Sequence, residues 1–82
     1  MLEEVKKVLE EELFVEEEIT LESNLKDDLH IDSVAAVELS LQLEAKYDID
    51  ITEQELAKLV TIEDVIKLLE LKGVKNNANS KN

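Results

Sequence analysis

Apolar residues along this chain recur mostly at intervals of three and four, with Glu and Lys filling the gaps. That period predicts helices rather than strands. Residues 2–14 read as a first helix, with Leu2, Val5, Val8, Leu9 and Leu13 along one side. Residues 15–32 lose the period. Glu16, Glu17 and Glu18 open a long connection, residues 20–24 are polar and turn-prone, and Leu21, Leu25, Leu29 and Ile31 are the expected pins to a core. A connection of this length is uncommon in a small domain unless it is functional.

The pattern returns strongly over residues 33–47, the clearest helix, and here it is double. Ala36, Leu39, Leu43 and Tyr47 share one side, while Val34, Val37, Leu41 and Ala45 share a side nearly opposite, flanked by Glu38 and Glu44. One stripe must face the core. The other is either covered by the long loop or left open as an apolar docking face edged by carboxylates. Beyond it, Asp48-Ile49-Asp50-Ile51-Thr52 alternates and is expected to be extended. Thr52-Glu53-Gln54-Glu55 has the form of a capping box and predicts a short helix from Glu53 to Leu59. Thr61 and Asp64 repeat the device less strongly before a last helix from Ile62, which buries Val65, Ile66, Leu68 and Leu69 and stops at Gly73. The expected fold is all-α, a small four-helix bundle of three longer helices and one short one, with a long loop between helices 1 and 2. It forms one domain over residues 1–73. Residues 74–82 have little to bury and are expected to be a disordered tail.

Composition sharpens this. There is no Pro and a single Gly among 82 residues, which argues against an all-β fold rich in turns. No Cys is present, so disulfides and thiolate metal sites are excluded. The acidic, amphipathic N-terminus does not suit a signal peptide, and no apolar run is long enough to span a membrane. A soluble, cytoplasmic protein is expected. The net charge is −12, and residues 1–73 set seven lysines against all 21 acids, a local balance of −14. Such a body is repelled by nucleic acid and by anionic lipid, and favours basic protein surfaces as partners.

Candidate chemistry concentrates in Asp27-Asp28-Leu29-His30-Ile31-Asp32-Ser33. A Ser at a helix start is most often an N-cap. The same place also suits a phosphodiester, whose charge the backbone N–H groups and the helix dipole would stabilise. No neighbouring residues form a catalytic triad, so base and metal for such a modification would come from another enzyme. His30, the sole His, reads as structural. Asp48, Asp50 and Thr52 begin like a calcium-binding loop, but Glu53 stands where Gly is required and Leu59 where Glu is required, so a dedicated calcium site is rejected.

These blocks together resemble the acyl carrier protein family. The resemblance rests on Asp32-Ser33-Val34 after Asp27-Asp28-Leu29, on Val37-Glu38-Leu39 and Leu43-Glu44, on Tyr47 through Ile51, and on Glu55 through Ile66, and it covers about residues 2–72. It implies a carrier and not an enzyme. A Mg²⁺-dependent phosphopantetheinyl transferase would move 4′-phosphopantetheine from coenzyme A to Ser33, with Asp32 as the motif acid that helps position the metal. The arm would supply the thiol that this chain lacks and hold acyl groups as thioesters. Val34, Val37, Leu41, Glu38 and Glu44 match positions that meet basic surfaces of synthase and acyl-transfer enzymes, and the core is expected to part around an acyl chain. Fatty-acid or polyketide-type synthesis is the expected setting, and a monomer the expected state. D-alanyl or other specialised carriers remain open, as does a helical adaptor in which Ser33 is only a cap. His30 stands where fatty-acid members usually have Gly, so the turn before Ser33 is expected to differ. Ala35 and Ala45 stand where acids are common, so the docking face should be less acidic than usual.

Overall fold

The computed structural model of the chain describes residues 1–74. Four helices follow one another, α1 (Leu2–Glu12), α2 (Ser33–Tyr47), α3 (Glu53–Ala57) and α4 (Ile62–Leu71), with no strand among the described residues. The fold is the expected all-α bundle with a long loop between α1 and α2. α1 packs against α2 and α4, and α2 against α3. Val5, Leu9, Leu39, Leu43, Ile62, Val65 and Leu69 meet at the centre with almost no exposure. Burying each such side chain contributes about 1.5–3 kcal/mol, so a few contacts hold most of this small domain together.

The boundaries show which local signals act. α3 and α4 both start with complete capping boxes. The Thr52 hydroxyl accepts from the Glu55 N–H at 3.1 Å and the Glu55 carboxylate accepts from the Thr52 N–H at 2.9 Å. Thr61 and Asp64 repeat the exchange, and Asp64 also accepts from the Val60 N–H at 3.0 Å. α4 ends in a Schellman motif. Gly73 takes φ 91°, its N–H donates to Glu70 O, and the Val74 N–H donates to Leu69 O at 3.0 Å. Val74 packs against the core, so ordered structure runs one residue past the expected boundary at 73. The tail expected over 74–82 otherwise lies outside the described residues.

Four expectations change. α1 stops at Glu12 and not at residue 14. Leu13 closes it, and Phe14 then takes a left-handed φ of 59°. α3 ends at Ala57, two residues short of Leu59. Of residues 48–52, expected to be extended, Asp48 is not: it adopts φ 57° and stops α2, while Thr52 is extended and the segment joins no strand. In the long loop Ile19, not Leu21, joins Leu25, Leu29 and Ile31 in the core.

That loop is stitched to the connection between α3 and α4. The Leu25 N–H donates to Val60 O at 2.9 Å, Ile62 N–H to Ser23 O at 3.1 Å, and Glu63 N–H to Leu21 O at 2.9 Å. Buried Ser23 holds the approach to this seam, its hydroxyl accepting from the Thr20 N–H at 2.8 Å.

Candidate functional site at the start of the second helix

The approach to α2 is a tight turn organised by Asn24. Its side-chain oxygen accepts from the N–H groups of Lys26 and Asp27 at 3.0 and 2.8 Å, and its own N–H donates to the Asp28 carboxylate at 2.7 Å. His30 then reverses the chain with φ 60°, so the turn accommodates His in a left-handed conformation. Its Nε2 lies 3.5 Å from the Glu17 carboxylate, with both side chains largely in solvent. Leu29 and Ile31 on either side are buried and fix the turn to the core.

Asp32 is the N-cap of α2. Its Oδ1 accepts from the Ala35 N–H at 2.8 Å and its carbonyl from the Ala36 N–H at 2.8 Å. Ser33 is therefore the first helical residue and not the cap, which removes the reading of Ser33 as only a cap. Its side chain is exposed. The cap uses one Asp32 carboxylate oxygen on the third N–H of the turn, and the N–H groups of Ser33 and Val34 precede the first intrahelical bond. A hydroxyl in solvent, two N–H donors and the positive end of a 15-residue helix make a place that fits a phosphodiester.

The outer stripe of α2 is open. Val34, Val37 and Leu41 are 77%, 50% and 54% exposed, and Ala45 is exposed beside them. The loop does not cover them. Leu39 and Leu43 are buried on the opposite side, with Ala36 and Tyr47 half-buried against the core. The two flanking acids differ. Glu38 is exposed and accepts from the Gln42 amide at 2.9 Å. Glu44 is half-buried, and its carboxylate accepts from the Ile51 N–H at 2.7 Å, holding the segment after α2. Pattern alone treated the two as equivalent. Tyr47 donates to the Glu4 carboxylate at 2.5 Å, and burial, then this bond, hold its phenol protonated far above the ordinary value.

Two further carboxylates, Glu55 and Asp64, have structural partners. Lys72 Nζ lies 2.8 Å from Glu55; this hydrogen bond, followed by the Thr52 N–H, keeps the Glu55 carboxyl below its usual value. The Thr61 N–H, then that of Val60, does the same for Asp64. Among the described residues, no cluster of three His or acidic side chains is arranged to hold a metal, Asp48 and Asp50 included. No helix among them is long and apolar enough to cross a membrane.

A small helical bundle with an accessible hydroxyl at a helix start and an uncovered apolar face beside it has the form of a carrier domain, one that would present a tethered group to other proteins. Residues 2–69 match the family model described as a phosphopantetheine attachment site. The chain is 42% identical over 71 residues to an acyl carrier protein of Campylobacter lari, covering 85% of this chain and 92% of that protein. It is 39% identical over 74 residues to one of Campylobacter concisus, covering 89% and 96%. A solved structure assigned as an acyl carrier protein from Mycobacterium tuberculosis superposes with a TM-score of 0.78 at 28% identity, over 84% of this chain and 93% of that one. The chain belongs to the acyl carrier protein family. It is a carrier and not an enzyme, and the group it carries is 4′-phosphopantetheine.

Proposed function

We propose that Ser33 is the residue that carries phosphopantetheine, and that the protein presents thioester-bound acyl groups to enzymes of fatty-acid or polyketide-type synthesis. The observation that carries this reading is the exposed Ser33 side chain on the first residue of α2, beside a cap made by Asp32. Loading would form a bond from Ser33 Oγ to the phosphorus of coenzyme A that bears pantetheine. The adenosine bisphosphate leaves, and the hydroxyl proton passes to a base on the transferase. Asp32 keeps one carboxylate oxygen outside its cap bond, which supports a role in positioning Mg²⁺ during that step. When bound, the arm supplies the thiol on which acyl groups ride; Ser33 and the first turn of α2 anchor its phosphate. A cytoplasmic monomer goes with this function.

The docking face on this reading is Val34, Val37 and Leu41, with Glu38 as the principal steering charge and Glu44 contributing less because it is tied to Ile51. Coenzyme A, Mg²⁺ and a broad-specificity phosphopantetheinyl transferase should add the mass of one phosphopantetheine, and Ser33→Ala should abolish the gain. A gain that survives Ser33→Ala sinks the assignment. Glu38→Lys should slow reaction with a synthase while leaving the helical circular dichroism intact.

A further inference from the structure

Beyond α1 the chain turns a corner at Leu13-Phe14-Val15. Leu13 and Val15 are half-buried against the core, and the Val15 N–H donates to Leu9 O at 3.0 Å. Phe14 points the other way. It is 78% exposed and holds φ 59°, a conformation that is rare for a bulky aromatic. The ring gains little from burial and the backbone is strained, so folding does not account for Phe at this position.

The surroundings are as unusual as the residue. Glu10-Glu11-Glu12 precede the corner and Glu16-Glu17-Glu18 follow it, all six exposed. Of these six, Glu17 alone lies within 4 Å of a basic side chain among the described residues, that of His30. A second copy would bring the same carboxylates face to face on a chain of net charge −12, and anionic lipid and nucleic acid are repelled in the same way. The occupant that fits is a protein surface with an apolar pocket for the ring and Lys or Arg around it. An aromatic anchor within a polar rim concentrates binding energy in that way, while the charges steer the encounter.

α1 runs antiparallel to α2. Glu4 meets Tyr47 at one end, while Glu11 and Glu12 share a shallow groove with Lys7, Gln42, Ala45 and Lys46 further along. The Glu17–His30 contact joins the segment after Phe14 to the turn before Ser33. Phe14 thus stands three residues before the contact that reaches the turn ahead of Ser33. On the carrier reading of Ser33, on which this rests, we propose that Phe14 is a second docking point, an aromatic anchor for a basic, pocketed surface on enzymes that act on the Ser33-borne group.

Gly suits φ 59° and removes the ring, so Phe14→Gly tests the anchor without unfolding the chain. The parent and variant are loaded with phosphopantetheine, and their Kd for the ketoacyl synthase of fatty-acid synthesis is measured by calorimetry. The expected result is a Kd raised about fivefold or more, with a thermal midpoint equal to or above the parent's. A smaller change in Kd overturns the anchor. Intact mass separates the two levels: a variant loaded like the parent but binding unchanged rejects Phe14 alone, whereas a parent that takes no group at Ser33 rejects the carrier reading as well.

Discussion

α2 and α4 begin in opposite ways. At α4 the Thr61 and Asp64 side chains are both committed to the backbone. Thr61 caps Asp64, Asp64 bonds back to Thr61 and Val60, and the third helical residue is the acid that closes the box. At α2 the cap runs one way only. Asp32 accepts from the Ala35 N–H, and the Ala35 methyl has no acceptor to reach back with. The first start is closed and serves stability. The second leaves N–H donors and a hydroxyl facing solvent, which suits the phosphate attachment proposed for Ser33. One chain uses the same helix-end physics twice, once satisfied internally and once left open to solvent.

The contrast can be broken at its charged cap first. Asp32→Asn keeps the capping oxygen but loses the charge, so the thermal midpoint should barely move while phosphopantetheine loading, followed by intact mass, slows at least about tenfold. Equal rates would mean that Asp32 is a cap and nothing more. Thr61→Val opens the closed start and should cost about 1 kcal/mol in urea unfolding, with loading unchanged. If loading fell with it, the two starts would not be independent.

Attaching the phosphate should stabilise α2 by about 0.3–1 kcal/mol at low ionic strength, read as a higher midpoint for the loaded than the unloaded protein and shrinking with salt. No difference would remove the argument from the open N–H groups. The smallest effect concerns acid. Glu55 and Asp64 titrate lower folded than their ordinary values of 4.5 and 3.8. Their contribution is complete above those values and disappears as pH falls through the folded ones. Glu55→Gln with Asp64→Asn should therefore narrow the stability gap to the parent as pH drops from about 5 to 3. A gap independent of pH would contradict the capping-box carboxylates as its source.

Much of this was legible from residue type. Thr52, Thr61 and Gly73 announce helix ends because their side chains, or lack of one, act locally. The double stripe of α2 follows from helical period alone, and its outer half is exposed. What escaped depends on distant partners. Asp32 and Ser33 are both good caps, and the fixed approach through Leu29 and Ile31 selects the aspartate. Ile19 displaces Leu21 because a loop has no period to assign its inward side. Glu44 looks like Glu38 until the folded chain brings Ile51 to it. Phe14 carries no signal for a left-handed corner, since nothing about a phenyl ring asks for positive φ.

The seam joining Leu25 to Val60, Ile62 to Ser23 and Glu63 to Leu21 has a kinetic consequence. It makes the long segment before α2 a clamped strap and not a free flap, because its release must also loosen the launch point of α4. The Leu25, Ile62 and Glu63 amides should share one protection factor against deuterium exchange, a gauge of how readily the interior is laid open.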